Sequence, residues 1–204
     1  MLGIDPNQLS GRDNYKFLSG SIIPRPVAFV TTLSPKGVVN AAPFSFFNIV
    51  ASEPPLISIS VQRDGELQKD TAAYALERGQ FVVHISTETH IEEINKTASR
   101  REREESELDL TSLHTTESVR VEVPGIKEAP IRMECVIEKA LELGGTAEQG
   151  PTCDLLIGRV VYYHIEESLY DNGRIDPFGL KPVARLAGND YSKLGSVFEL
   201  IRPK

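Results

Sequence analysis

Three apolar, β-branched runs between residues 23 and 71 constrain this chain more than any other feature: 27–32, 38–50 and 56–61. The breakers Ser34-Pro35-Lys36-Gly37 and Glu53-Pro54-Pro55 separate them. Short runs of Val, Ile, Phe and Thr bounded by turn residues read as strands of one antiparallel sheet. Lys69-Asp70-Thr71 then opens a helical pattern carried by Ala72, Ala73 and Leu76 and stopped at Gly79. Asp or Thr at a helix start is a capping signal, and Gly past its end is a stop signal. A helix start beside Arg63 and Lys69, facing a strand rich in Ser and Asn, suits a phosphate, because free N–H groups and the helix dipole both favour an anion. Arg63 would grip the phosphate bidentately and Lys69 would add a point charge. Thr71 offers a hydroxyl and an N–H. Asp70 would repel a phosphate with its carboxylate, so its expected part is to cap the helix and lend only its backbone N–H. The same residues also read as a plain capped surface helix.

The chain has 204 residues, enough for one packed core, and one domain over 1–204 is expected. A net charge of −7 argues against a nucleic-acid partner, which needs a clustered basic face. It leaves room for a small anionic ligand held by a few local cations. No apolar run approaches the roughly 20 residues of a transmembrane helix. The first residues lack the basic-then-apolar pattern of a signal peptide, so no membrane and a cytoplasmic location are expected. Cys135 and Cys153 fit no CxxC spacing and read as buried thiols in a reducing compartment. None of His84, His90, His114 and His164 has a partner at metal-ligand spacing, so no metal site is expected.

Beyond the first helix, 79–86 reads as a short strand. Residues 87–103 read as a second helix, with Ile91, Ile94 and Ala98 on one face. The mixed charge run at 99–107 reads as a solvated helix end and loop, or as a lid. Residues 131–140 alternate, with Met133, Cys135 and Ile137 on one face and Glu134 and Glu138 nearer the other. Residues 155–164 form a more continuous apolar strand, joined to it by a turn-rich connection. The tail at 176–191 is irregular, and 197–201 reads as a final strand. Many short strands with two interposed helices suggest a closed or partly closed antiparallel barrel, with a sandwich as the other arrangement.

Particular residues carry a resemblance. Arg25-Pro26-Val27-Ala28-Phe29-Val30-Thr31-Thr32, Gly37, Asn40-Ala41-Ala42-Pro43-Phe44-Ser45-Phe46-Phe47-Asn48, Pro54-Pro55-Leu56 and Arg63…Lys69-Asp70-Thr71 together resemble the flavin reductase-like family. It returns faintly at Gly158-Arg159-Val160-Val161 and at Pro182…Arg185…Tyr191. The resemblance implies a mainly β fold with a few helices: an FMN-binding split β-barrel of antiparallel Greek-key type. It also implies a homodimer with flavin near the interface. By that likeness the phosphate of FMN falls to Arg63, Lys69, Asp70 and Thr71. Its ribityl chain and ring fall to Thr31, Asn40, Ala42, Pro43, Phe44, Ser45, Phe46 and Asn48. Arg25 is expected against the isoalloxazine, stabilising negative charge on the reduced ring, or else in a surface salt bridge. The tail bearing Arg185 and Tyr191 would cross toward a partner subunit or cover the flavin edge. His84 stands where the family often has Asn.

If electrons are carried, a bound cofactor must carry them, since no nucleophile–base pair is readable from local spacing and no catalytic side chain is assigned. FMN is the expected cofactor and FAD the other flavin that fits. No GxGxxG follows a strand, so NAD(P)H as co-substrate would stack on the flavin without a nucleotide domain of its own. Three readings remain: an NAD(P)H:flavin reductase, a flavoredoxin-like FMN electron carrier that serves a redox partner protein, and a non-catalytic β-barrel binding module.

Overall fold

The computed structural model describes residues 1–146 and 148–203. Helix α1 (Gly11–Ser21) leads into a short strand β1 (Arg25–Pro26). Strands β2 (Ala28–Leu33), β3 (Val39–Phe44), β4 (Phe47–Ser52) and β5 (Pro55–Gln62) follow, then helix α2 (Asp70–Arg78), strand β6 (Gln80–Ile85) and helix α3 (Ile91–Lys96). Two-residue strands β7 (Thr115–Thr116) and β8 (Gly125–Ile126) pair with each other ahead of the long hairpin β9 (Ile131–Leu143) and β10 (Cys153–Ile165). The chain closes with β11 (Tyr170–Asp171), β12 (Arg174–Ile175), helix α4 (Pro177–Leu180), β13 (Val183–Arg185) and β14 (Tyr191–Lys193).

Seven strands form one antiparallel sheet in the order β3-β2-β6-β9-β10-β5-β4. The run at 38–50, read above as one strand, is two. β3 pairs with β2 and β4 pairs with β5, so these consecutive strands lie at opposite ends of the sheet. The chain must therefore change neighbours, and it bends at Ser45-Phe46, where Phe46 O accepts from Ser60 N at 2.9 Å.

The main core lies inside the sheet and is stoppered by α2. Val30, Ile59, Val61, Phe81, Val83 and Leu156 meet Ala72 and Ala75 there. Burying an aliphatic or aromatic side chain of this kind contributes roughly 1.5–3 kcal/mol. Helix α2 stops where the sequence says, at Gly79, whose φ of +69° places it in the left-handed region that favours glycine. Strand β2 is buried on both faces, since Phe29 packs outward against Ile94, Leu113 and Ile126. That is why it reads as a continuous apolar run instead of an alternating one. Gly158 also has a steric reason: a Cβ there would lie 2.3 Å from Phe81 Cζ, so no side chain fits without moving that ring.

Several expectations are corrected. The helix read over 87–103 covers only Ile91–Lys96. Thr97 Oγ1 donates to Ile94 O at 2.7 Å and closes it, and the arginines beyond reach acids on other segments. The final strand read at 197–201 is absent, because no neighbouring strand pairs with it, and Phe198, Leu200 and Ile201 stand exposed. The tail is more ordered than it reads, since β13 pairs with β14 and, through Arg25↔Arg185, with β1. Cys135 is buried and burial pushes its thiol pKa well up, whereas Cys153 is only half-buried. No described helix is long and apolar enough to cross a membrane.

Candidate functional site

The bend at Ser45 and the start of α2 shape a two-part cleft. One part, of about 830 Å³, is lined by Tyr15, Val27, Pro43, Phe44, Ser45 and Ile91, with Arg185 and Tyr191 from the tail. The other, of about 730 Å³, is lined by Asn40, Ala42, Pro43, Phe44, Arg63 and Lys69-Asp70-Thr71. The segment 97–103 closes its far side. Pro43, Phe44 and Ala98 border both parts, so the two adjoin along the end of β3. Volumes of this size suit a nucleotide-sized ligand.

The start of α2 borders the second part of the cleft. Its N-cap, Lys69, makes no side-chain capping bond. Asp70 is not the cap that the sequence suggested. It is the first helical residue, and its carboxylate meets Arg103 Nε at 3.0 Å. Thr71 is buried, and its Oγ1 accepts from Asn40 Nδ2 at 2.9 Å, while Asn40 also donates to Thr32 Oγ1 at 3.0 Å. Both amide hydrogens of Asn40 are thus committed. The Thr71 hydroxyl, already an acceptor, keeps its proton to donate. Lys69 has no ion pair among the described residues.

Arg63 lines the same part of the cleft, but its charge is engaged elsewhere. Nε and Nη2 grip Asp154 at 2.9 and 2.6 Å, and Nη2 also meets Glu142 at 2.6 Å. These carboxylates hold the guanidinium pKa above its ordinary value, and Arg63 and Gln68 hold Asp154 below the usual carboxylate range against the cost of burial. Glu107 lies on the wall as well and accepts from Ala41 N at 2.9 Å. Burial raises its pKa, opposed by that N–H, while Asp70 nearby raises it further.

Ten of the residues singled out from sequence border the cleft: Asn40, Ala42, Pro43, Phe44, Arg63, Lys69, Asp70 and Thr71 at the helix side, and Ser45 and Tyr191, with Pro43 and Phe44 again, at the aromatic side. Four do not. Thr31 is buried and donates to Pro124 O at 2.7 Å. Asn48 is exposed on β4, and its side chain accepts from the next residue's N–H. It left the cleft with the bend at Ser45-Phe46. Phe46 sits 6.4 Å from the Tyr15 ring outside the lining. Arg25 is neither a surface ion pair nor a cleft residue. It is buried, and its guanidinium donates to Ser19 O, Ile22 O and Leu186 O at 2.6, 2.6 and 2.7 Å. It staples α1 and the tail to β1.

Sequence reading missed Tyr15, and it left the run Ser99-Arg100-Arg101 with Arg103 open between a solvated loop and a lid. The only signal for the latter was a basic cluster within a mixed charge run. In the structure these residues wall the cleft, so the stretch is neither a helix end nor plain solvated loop. His84 is structural: Nδ1 donates to Phe29 O at 2.9 Å and Nε2 accepts from Ile126 N at 2.8 Å. Burial pushes its pKa down to about 3, so the ring stays neutral.

The split barrel matches solved structures closely. A crystal structure of nitrilotriacetate monooxygenase component B from Bacillus cereus is 58% identical, with a TM-score of 0.96 over 98% of each chain. Pseudomonas fluorescens 2-nitrobenzoate 2-nitroreductase NbaA is 31% identical, with a TM-score of 0.88 over 99% of this chain and 96% of that one. A split barrel domain from Shewanella frigidimarina shares the fold at 19% identity and a TM-score of 0.82, over 98% and 100%. Residues 19–179 match the model of the flavin reductase like domain. With this fold, this cleft and these relatives, the chain belongs to the flavin reductase like family, and its function is flavin-related redox chemistry.

Proposed function

We propose that the chain binds FMN along the two-part cleft and acts as an NAD(P)H:flavin reductase. The carrying observation is the pairing of an aromatic, ring-sized recess with a cation-bearing helix start across the shared wall of Pro43 and Phe44. The donor set fits this ligand: a flat ring needs apolar and aromatic walls, and a phosphate needs N–H groups and cations. A bound isoalloxazine would supply two-electron redox chemistry. The chain's own residues bind and orient. Lys69 and the first N–H groups of α2 would hold the phosphate. Asn40 aims the Thr71 hydroxyl. Phe44, with Tyr191 under the Arg185 guanidinium at 4.5 Å from its ring centroid, borders the ring.

The likeness to a monooxygenase component B supports a role in delivering reduced flavin to a partner enzyme. Because the sequence carries no Rossmann fingerprint, nicotinamide binding rests mainly on stacking. The expected KM for NADH or NADPH lies toward or above the upper end of the ~1 μM–1 mM range. Anaerobic addition of either nucleotide should bleach the visible band of the bound flavin. Bleaching by dithionite but by neither nucleotide would favour the electron-carrier reading. Failure to bind FMN or FAD would remove both. The likeness to a 2-nitrobenzoate nitroreductase favours a second reading, direct reduction of a nitroaromatic at the same flavin. Turnover of 2-nitrobenzoate without added free flavin would select it.

We also propose a homodimer. Phe17 and Leu18 on α1, Ile49 and Val50 on β4, and Phe198 and Ile201 in the tail are all exposed in the single chain. Exposed apolar side chains on these three elements are available to a subunit interface, and two-fold dimers are the commonest soluble oligomers. Light scattering at micromolar concentration should give twice the chain mass, and a flavin-loaded monomer would refute it.

A further inference from the structure

Two ion pairs span the mouth of the cleft's cationic part. Arg100 pairs with Asp64, and Arg103 Nε lies 3.0 Å from Asp70 Oδ1. Each pair joins the 97–103 segment to the stretch that runs from the end of β5 to the start of α2. Three of the four partners are well exposed, at 83% and 59% in the first pair and 65% for Arg103 in the second, while Asp70 is 24% exposed. Exposed pairs of this kind are worth about 0–1 kcal/mol, so they hold the arginines in place without committing them. A phosphate carries close to two negative charges and three acceptor oxygens, against one charge and two oxygens on a carboxylate, so a guanidinium contact to it is the stronger one. Asp70 is also at the first turn of α2, where its carboxylate takes the favourable end of the helix dipole that an incoming phosphate would use.

We propose that Asp64 and Asp70 are internal stand-ins for the ligand phosphate. They hold Arg100 and Arg103 over the cleft until a phosphate displaces them, and by competing with it they keep the phosphate-bearing ligand exchangeable. No covalent step is involved, only an exchange of ion-pair partners. This rests on the FMN reading above, and it assigns to acidic residues, which a phosphate site should avoid, a use in release. A protein that hands its flavin onward needs such release.

The test measures FMN and riboflavin affinities and FMN dissociation rates for Asp64→Asn, Asp70→Asn and, as a reference, Lys69→Ala. Each Asn variant should tighten FMN by roughly two- to fivefold, the range that loss of one exposed competitor allows, mainly by slowing dissociation, and should leave riboflavin unchanged. Asp64 lies in a turn outside α2 and gives the reading if Asp70→Asn lowers the stability of the helix. Weaker binding of both ligands by both Asn variants would make the carboxylates structural and overturn the proposal. If Lys69→Ala weakens FMN while neither Asn variant tightens it, the phosphate site stands and the stand-in role falls. If no variant affects FMN differently from riboflavin, the phosphate lies elsewhere and the underlying reading falls with it.

Discussion

Replacing Glu134 by Gln is expected to remove about 3–5 kcal/mol of folding stability at neutral pH, the scale for breaking a buried, fully satisfied charge network. Glu134 on β9 is completely buried. Its Oε1 accepts from Val119 N at 2.7 Å and from His164 Nε2 at 2.6 Å, and its Oε2 accepts from Arg120 N at 2.6 Å and Val121 N at 3.2 Å. Burial works to raise its pKa, but the converging N–H groups and His164 outweigh this and leave it below the ordinary carboxylate value. Gln has one acceptor oxygen, so its amide N–H would confront a backbone N–H.

The pH dependence has a definite sign. A depressed folded-state pKa contributes stability that is present above the unfolded value of about 4.3 and is lost as pH falls through the folded value. Denaturant unfolding should therefore show a wide gap between wild type and Glu134→Gln at pH 7 that narrows on acidification below that value. A gap that persists unchanged in acid would mean that the carboxyl's shape, not its charge, holds the 117–124 segment.

Lys69→Ala is expected to weaken FMN by roughly ten- to a hundredfold or more, the equivalent of about 1.5–3 kcal/mol for a bond to a charged group. Riboflavin, which lacks the phosphate, should change little. Lys69 is the cation beside the uncapped start of α2 that has no ion pair among the described residues. Arg63 offers the contrast. From sequence it is an equal candidate, but Asp154 and Glu142 already occupy its guanidinium. Arg63→Ala should lower stability and affect both ligands alike. Isothermal titration of both flavins against both variants checks the pair. Equal losses of FMN and riboflavin on Lys69→Ala would place that lysine away from the phosphate.

The parts of the fold that were legible in the sequence rest on local physics. β2 and β5 follow from β-branched runs between turn residues, and α2 follows from its alanines and from Gly79. That the helix start borders the cleft was legible too, because Lys69, Asp70 and Thr71 are contiguous. The family likeness placed the Asn40–Ser45 wall. What was misread depended on partners far along the chain. The bend at Ser45-Phe46 exists because β3 and β4 join opposite ends of the sheet, and it took Asn48 out of the cleft. Arg25 between two prolines reads as a flavin contact or a surface ion pair until Leu186, 161 positions later, comes to lie beside it.

By itself, then, the sequence determined β2, β5 and α2, the antiparallel β class and the segment that borders the cleft, because periodicity, turn residues and helix stops act over a few neighbouring positions. Tertiary structure alone decided which charges are available and which are spent. Arg63 meets an acid 91 positions away, and Glu134 meets the backbone of a loop folded over it. Arg100, Arg101, Arg103 and Glu107, from a mixed run that the sequence left open between loop and lid, line one wall of the cleft. An ion pair or a buried carboxylate forms only where the folded chain brings its ends together, and no local pattern records which distant residue will be there.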